Sequence, residues 1–498
     1  MKDSPVIQLL KEQIQIEKPS AIAVYIQIAQ QISSAIQRGY FSEGTKLVGT
    51  RILGKLLKIH RNTAVAVYEE LASQGLVEII ANKGTFVTLP KQKYQSIKAI
   101  SNKINEIYSY SKTTGFKVET SFNLVTTNEF STANYTINEG FPDLRLHPVD
   151  QFSKWYSAAM KRKSLISKWN QTVLSSQSVF KNQLCNFLNV TRGFHIQPTN
   201  LISTRSSEMS LYIISQLLIK QNDLVLVGNL SNSATNMIFQ QAGAMLKTIP
   251  VDADGLEVDY IEKNFIKANI RCVYVSSNRH FPTTNSLSFE RRMKLLQLAK
   301  THQFAIIEDD YDYDFQFEGT AKLPMASSDA NGMVIYLGKM GQSLFPSFQT
   351  GFVVASENLI LEAKNYLQMI DSQGDLIQEQ LLSELIYEGE IYKLIKKNVL
   401  IYKQRLDFLC NLLNKNFNNM IHFEKPTGGL AIWLQFEPKI SLVQLAEKAF
   451  KNDLFLPKKI LYQDKKTCAI RFGFGHLNEE EIEIVVEKLK IAYDLVDK

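Results

Sequence analysis

Three consecutive polar residues, Arg61, Asn62 and Thr63, have side chains that can read the edges of DNA bases. An arginine can donate two hydrogen bonds to O6 and N7 of guanine, and an asparagine can pair with adenine in a similar two-point manner. A threonine can bond a phosphate or contact the methyl group of thymine. This chemistry requires the three residues to stand at the N-terminal end of a helix that enters the major groove.

The surrounding pattern predicts such a helix. Apolar residues spaced along one helical face indicate helices at about 25–37, 50–57 and 61–73. Two short strands, 76–80 and 85–88, follow as a hairpin with a tight turn. Two short helices with a tight turn between them, followed by a glycine-tipped hairpin, are typical of a winged helix-turn-helix that binds double-stranded DNA.

Four other residues are predicted to contact the DNA. Thr50, the predicted N-cap of its helix, and Arg51 suit phosphate contacts, whereas Lys83 and Gly84 at the wing tip suit a minor-groove or backbone approach. Between residues 38 and 61, six basic residues stand against a single acidic one, so a polyanion could be met there. A solvated basic face, or a helix-turn-helix without a DNA role, remains the alternative at this point.

A second set of residues could do metal chemistry. Four carboxylates lie within six positions, at Asp309, Asp310, Asp312 and Asp314. Carboxylate oxygens are ligands for divalent cations, but the intervening tyrosines fit such a cluster poorly. We expect no metal site.

The composition is that of a globular, cytoplasmic protein. The chain has 498 residues, of which 45% are hydrophobic and 21% charged, and its formal net charge is +7. At roughly 100–200 residues per domain, this length suggests about three structural units. Its four cysteines lie far apart without a CxxC pair, which argues against a disulfide scaffold and a thiolate zinc site. We expect neither a signal peptide nor a membrane span.

After residue 134, helices alternate with short apolar strands, which indicates an α/β fold with a mostly parallel sheet. The last 110 residues or so read as a smaller α+β subdomain. The buried-strand candidates of the larger part are Leu224–Val227, Arg271–Ser276, Phe304–Ile307, Val334–Leu337 and Phe352–Val354. The predicted divisions are an N-terminal tail (1–18), a DNA-binding domain (19–90), a linker (91–134), a large domain (135–385) and a small domain (386–498).

The first part closely resembles the GntR family of bacterial regulators. The matching motifs are VYIQI (24–28), RG (38–39), GTKL (44–47), RIL (51–53), RNTAV (61–65), YEEL (68–71) and GTFV (84–87). Two positions depart from the family: Val48 replaces its usual proline and Gly54 its usual alanine. Both changes soften the second helix without removing a contact group.

The remainder resembles a fold-type I aminotransferase, the large class that uses pyridoxal 5'-phosphate (PLP). The matching segments are NEGFPD (138–143), FPT (281–283), IEDDYD (307–312), YLG (336–338) and RFGF (471–474). With the winged helix, they resemble the MocR subgroup of GntR regulators. The resemblance implies that Asp309 faces the pyridine nitrogen, that Tyr311 bonds the ring oxygen and that Arg471 holds a substrate carboxylate.

The aldimine position departs from this pattern, since Gln342 stands where the family has the lysine that binds PLP covalently. An amide nitrogen cannot attack an aldehyde. Lys339, three residues earlier, is the nearest amine, but it occupies another phase of the loop. Further departures lie at the serine and arginine that would anchor the phosphate and at the aromatic ring that would stack on the cofactor; these are Gly341, Gln349 and Asn232.

The sequence therefore predicts a DNA-binding transcriptional regulator of MocR type. It has an N-terminal winged helix-turn-helix and a catalytically inactive aminotransferase-like domain that forms a homodimer and senses an unknown small-molecule effector. No covalent cofactor is expected. The alternatives are non-covalent PLP, an active PLP-dependent aminotransferase, and a receptor whose winged helix contacts protein. Asp309, Tyr311 and Arg471 could equally persist as structural residues.

Overall fold

In a computed structural model, the chain divides into two compact units, Met1–Glu119 and Thr120–Lys498. The structure describes residues 6–7, 10, 14–16, 22–37, 40–81, 83–88, 113–118, 129, 131–161, 176–318, 322–341, 348–372 and 374–497. Most of the predicted tail (1–18) and linker (91–134) falls outside these ranges. Within the described residues, no helix is both long and apolar enough to cross a bilayer.

The elements with described bounds in the first unit are three packed helices and a hairpin. It contains α1 (Val24–Gln37), α2 (Thr50–Leu57), α3 (Arg61–Ser73), β1 (Val77–Ile80) and β2 (Gly84–Val87). The helices bury apolar side chains such as Ile28, Leu53 and Val67 in one core. The turn between α2 and α3 closes at Lys58, whose left-handed backbone donates an N–H to the carbonyl of Gly54. A Cβ at position 54 would lie 3.1 Å from the carbonyl oxygen of Ile59, so the glycine allows a close turn.

One detail of the sequence interpretation was wrong. The N-cap of α2 is Gly49, whose backbone is extended, and no side chain caps the helix. The chain already turns helical at Thr50, so the Thr50 hydroxyl does not cap the helix as predicted.

The segment that precedes α2 adds a third hydrogen-bonded edge to the hairpin. β1 and β2 pair antiparallel, with Val77 opposite Val87. On the other side of β2, the backbone of Leu47 donates to Thr85, and that of Val87 donates to Thr45. This third edge fixes the wing to the residues that lead into α2.

The second unit is a two-part α/β structure. Its helices are α4 (Val149–Lys161), α5 (Ser176–Arg192), α6 (Ser207–Leu218), α7 (Ser233–Gln241), α8 (Val258–Phe265), α9 (Phe289–His302), α10 (Glu357–Ile370), α11 (Leu376–Tyr387), α12 (Glu390–Phe417), α13 (Leu442–Lys451) and α14 (Glu479–Asp494). Its strands are β3 (Tyr135–Thr136), β4 (Leu201–Thr204), β5 (Leu224–Gly228), β6 (Met245–Ile249), β7 (Val251–Asp252), β8 (Gly255–Leu256), β9 (Ile270–Val275), β10 (Ala305–Asp310), β11 (Val334–Met340), β12 (Thr350–Val354), β13 (Ile421–His422), β14 (Ala431–Phe436), β15 (Leu454–Phe455), β16 (Leu461–Gln463) and β17 (Cys468–Gly473).

The large part is built on a seven-stranded sheet in the order β4-β12-β11-β10-β9-β5-β6. Neighbouring strands are parallel except at β12, which runs antiparallel to both β11 and β4. All of these strands except the edge strand β6 are almost wholly buried, and apolar clusters cover both faces of the sheet. The parallel strands therefore bring several carboxyl ends to one edge, where α/β folds place ligands.

The small part is an antiparallel sheet, β13-β14-β17-β16, packed against α13, α14 and the C-terminal half of α12. Two predicted boundaries need correction. Residues 135–137, assigned to the large domain, belong with the small part, because β3 pairs with β15 and Ile137 is buried in the small-part core. The division at 385/386 falls inside α11, where Ile386 still packs in the large-part core.

A hydrogen bond from Tyr68 joins α3 to the segment that precedes α2. Its buried side chain donates a hydrogen bond to the carbonyl of Val48, 20 residues earlier. We expect Tyr68→Phe to lower the free energy of unfolding of this unit by about 1–3 kcal/mol, since the carbonyl loses its partner. Urea denaturation monitored by circular dichroism measures this. Ser73→Ala, which removes an exposed local bond to Glu70, is the control and should have little effect.

Candidate functional site

A cavity of about 340 Å³ lies at the carboxyl ends of β9, β10 and β11, between the large and small parts of the second unit. The large part contributes the strand ends and the first turns of α6 and α7, and the small part contributes Leu430, Lys459 and Arg471. Of the residues predicted for a cofactor or effector, the cavity wall contains Asn232, Asp309, Tyr311 and Arg471. The described wall does not include Gln349, and Gln342 lies outside the described residues.

Asp309 sits near the end of β10 and accepts a hydrogen bond from the hydroxyl of Tyr274 on β9. Burial raises the pKa of the Asp309 carboxyl to about 6, against the lowering effects of the Tyr274 bond and of Lys339. The carboxyl can therefore exchange a proton near neutral pH.

Arg471 on β17 is a buried cation, with 2% of its surface exposed. It donates to the carbonyls of Glu139 and Pro282, each at 2.8 Å, and to the hydroxyl of Tyr311 at 3.3 Å. Its guanidinium also lies over the ring of Phe281, 4.5 Å from the centroid. Within the described residues, no carboxylate lies within 4.0 Å of it, so its charge is available to an anion in the cavity.

The residues at the predicted ring-stacking and phosphate-anchoring positions do not offer these contacts. The side chain of Asn232 caps α7 by accepting from the N–H of Ala234 at 2.9 Å, and it offers no ring for stacking. Gln349 uses its backbone carbonyl to accept from Gln378, and its side chain carries no charge for a phosphate. Gly341 has a left-handed backbone and no hydroxyl.

Glu208 and Lys459 are among the cavity residues that were not anticipated as site residues. Glu208 stands in the first turn of α6, where the backbone N–H groups of a helix would favour a phosphate; its carboxylate repels one instead. Lys459 pairs with Glu139 at 2.7 Å, so its charge is compensated. The sequence did contain a signal for this residue, because Glu208 follows Ser206-Ser207 directly and stands at the start of an apolar helix.

These residues provide only part of a PLP site. Asp309 and Tyr311 could face a pyridine ring, and Arg471 could hold a carboxylate. At the start of α6, however, a phosphate would meet Glu208, and Lys339 is the only lysine or arginine of the described cavity wall without a hydrogen-bonded or ion-paired partner among the described residues. The described residues do not fit the cofactor as a whole.

The acidic residues that follow Asp309 already have partners within the protein. Asp312 pairs with Arg279 at 2.8 Å and Asp314 with Arg192 at 2.9 Å. Asp310 accepts from the hydroxyl of Tyr336 at 2.9 Å. In the part of the chain that the structure describes, no group of three or more metal-binding side chains is found.

In the first unit, Arg61 and Asn62 are exposed at the start of α3, and Thr63 is partly exposed. Arg51 and Lys83 are also exposed, while Thr50 and Gly84 are partly so. The helix begins after His60, whose ring nitrogen accepts from the N–H of Asn62 at 3.3 Å. The exposed side chains at this helix start are free to approach a DNA groove.

Lys46 is an additional candidate for DNA contact. It bridges to Phe86 on β2, and its aliphatic chain packs beside Gly84 at the wing. The sequence placed it in the basic stretch without assigning it to the wing, because the third edge of the hairpin was not predicted.

Comparison with known proteins agrees with both halves of this architecture. Residues 24–87 match the family of bacterial regulatory proteins called gntR. The chain is 22% identical over 485 residues to the probable rhizopine catabolism regulatory protein MocR of Rhizobium meliloti, covering 96% of this chain and 95% of that protein. It is 21% identical to the uncharacterized HTH-type transcriptional regulator YdfD of Bacillus subtilis, covering 94% and 95%.

Solved structures match the second unit. An archaeal alanine:glyoxylate aminotransferase aligns with a TM-score of 0.66 at 24% identity, covering 72% of this chain and 91% of that one. A multiple substrate aminotransferase from Thermococcus profundus aligns with the same TM-score at 21% identity, covering 74% and 93%.

A GntR-type winged helix followed by a fold-type I aminotransferase domain defines the class of protein. Within that class, the similarity to MocR over nearly the whole length of both chains supports a transcriptional regulator of MocR/GntR type.

The buried ion pair between Arg279 and Asp312, at the cavity wall, predicts a stability difference. Arg279 and Asp312 are both at least nine-tenths buried, so Arg279→Met leaves an uncompensated carboxylate and should lower the free energy of unfolding by about 3–5 kcal/mol. Chemical denaturation of the full chain measures this. Lys294→Met, which breaks solvent-exposed pairs with Asp259 and Glu262, should have a much smaller effect. Equal losses in the two variants would contradict the argument.

Proposed function

We propose that this regulator binds operator DNA as a homodimer and senses a small anionic effector in the cavity of its aminotransferase-like domain, without catalysing a transamination. The observation that supports the effector site most directly is Arg471, a buried cation that lines an open cavity and has no carboxylate partner among the described residues. An effector carboxylate would provide the missing counter-charge.

The absence of transaminase activity is proposed on chemical grounds. Position 342 carries an amide, which cannot form a Schiff base with an aldehyde. At the start of α6, Glu208 places a carboxylate where a phosphate would gain most from the helix N-terminus. Both features disfavour PLP, one through the covalent bond and the other through charge.

DNA binding is assigned to the start of α3 and the wing. Arg61 and Asn62 are placed to read base edges, and the charges of Arg51 and Lys83 suit phosphates. A homodimer would carry two such units and so read paired half-sites.

Arg61→Ala tests the base-reading role. On an operator recovered by selection from random DNA, we expect the variant to lose about 1–3 kcal/mol of specific binding and to relax specificity at one base pair. Lys83→Ala is the matched variant: it should weaken specific and non-specific DNA equally and reduce the salt slope by about one. Titrations at several fixed salt concentrations measure both. An unchanged operator affinity in Arg61→Ala would contradict the role given to this arginine.

A PLP titration tests the cofactor and the enzyme alternative. We expect purified protein with stoichiometric PLP to show no shifted absorption band and, after borohydride reduction, no mass increase, because position 342 has no amine and Glu208 opposes the phosphate. Absorption spectra and intact mass measure this. A reducible adduct together with turnover of an amino acid would favour a PLP-dependent aminotransferase instead.

A further inference from the structure

Lys339 lies on β11 in a position that projects its amine into the cavity. In the parallel pairing of β10 and β11, Asp309 lies opposite Leu337. Lys339 is two residues further along β11, and therefore on the same face of the sheet as the Asp309 carboxyl. Both residues line the cavity wall.

The start of α6 lies against the same face. Lys339 is opposite Gly351 on β12, and side chains of paired residues point to the same side. A Cβ on Gly351 would come within 2.2 Å of the carbonyl oxygen of Ser206 and 2.6 Å of the backbone nitrogen of Ser207. The positive end of the α6 dipole is thus close to Lys339, and it disfavours a second positive charge.

Of the described residues, none forms a hydrogen bond or an ion pair with the Lys339 side chain. Burial lowers the pKa of this amine below its ordinary value of 10.5, although Asp309 and Glu208 act in the opposite direction. A lysine in such surroundings has an increased fraction of the neutral, nucleophilic form.

Arg471 is the second residue of the cavity whose charge is available to a ligand. It lines the same cavity, and no described carboxylate neutralises it. One wall therefore offers an anion-binding guanidinium and another offers a nucleophilic amine. A ligand that uses both needs a carboxylate and an electrophilic carbonyl carbon in one small molecule.

We propose that the effector is a short oxo acid, such as a 2-oxo acid, which Arg471 holds by its carboxylate and Lys339 captures as an imine. The inference rests on the proposed effector site and names its ligand class. It differs from family chemistry in that the amine comes from strand β11, outside the loop position at 342, and requires no phosphate.

The bonds balance without a co-reactant. The Nζ of Lys339 attacks the carbonyl carbon, and the C–N bond replaces the C–O bond. The oxygen departs as water with the two hydrogens that the neutral amine loses. Asp309, with a pKa of about 6, is placed on the same face to donate a proton to the departing hydroxyl and to recover one from nitrogen. The resulting imine is reversible, as effector binding requires.

Borohydride trapping tests the capture. Full-length protein is incubated with pyruvate or glyoxylate, reduced, and analysed by intact mass and peptide mapping. We expect one adduct per chain on the peptide that contains Lys339, and its loss in Lys339→Arg, which keeps the charge but has no primary amine. Lys322→Arg is the matched control, because burial also lowers the pKa of Lys322, which is outside this cavity, and its adduct should persist.

Three results would overturn the proposal: no adduct, an adduct retained in Lys339→Arg, or equal labelling of many surface lysines. The anion role is tested with propanal, which lacks a carboxylate. Arg471→Gln should raise the pyruvate concentration needed for half-maximal trapping without changing that for propanal, and a thermal melt confirms that the variant is folded. Equal changes for both probes would remove Arg471 from the proposal.

Operator titrations with and without pyruvate separate this proposal from effector sensing in general. If pyruvate changes the DNA affinity of the unmodified protein but not that of Lys339→Arg, both effector sensing and capture by Lys339 are supported. An equal response in that variant leaves sensing intact and overturns capture by Lys339. A specific adduct without any change in DNA affinity supports capture and contradicts the sensing role.

Discussion

Buried charge is the constraint around which the second unit is organised. The end of β10 and the turn that follows it carry three carboxylates toward the interior, and each can be tolerated there only with a partner. Arg279 holds Asp312, Arg192 holds Asp314, and the hydroxyl of Tyr336 bonds Asp310. These contacts come from a loop, a helix and the neighbouring strand, so they fix the end of the sheet from several directions. The strand ends that form the cavity wall are therefore held in place by these contacts.

The charges that remain for a ligand are those without an ionic partner among the described residues. Glu139 and Lys459 neutralise each other, whereas Arg471 is bonded only to uncharged groups among the described residues. Lys339 has no bonded partner there, and Asp309 shares a proton-sensitive bond with Tyr274. An anion and an amine-reactive group are what this residual set can bind. That selectivity follows from the pairs already formed behind the wall.

The sequence predicted the elements well because their signals are local. Helix α3 begins at Arg61 and ends at Ser73 as expected, and the central strands lie within one to three residues of the predicted ends. Features set by distant pairing were less accessible. Nothing local in Tyr135–Thr136 indicates that it joins β15, more than 300 residues later, or that Lys46 lines the wing. Asp309, Tyr311 and Arg471 were placed together by family resemblance, whereas Glu208 becomes a site residue only when α6 is seen to open into the cavity.

A domain that served only as a scaffold would be more stable with an apolar interior at this position. Burying Arg471 and Lys339 costs desolvation energy, and an unfilled cavity also forfeits packing. Apolar side chains of similar volume would remove both penalties without disturbing the ion pairs behind the wall. The charges are explained if a ligand compensates them during part of the protein's working cycle. Under the proposed oxo-acid capture, the replacement of the PLP lysine by Gln342 is a change of ligand chemistry, in which a strand amine and a guanidinium serve a different ligand.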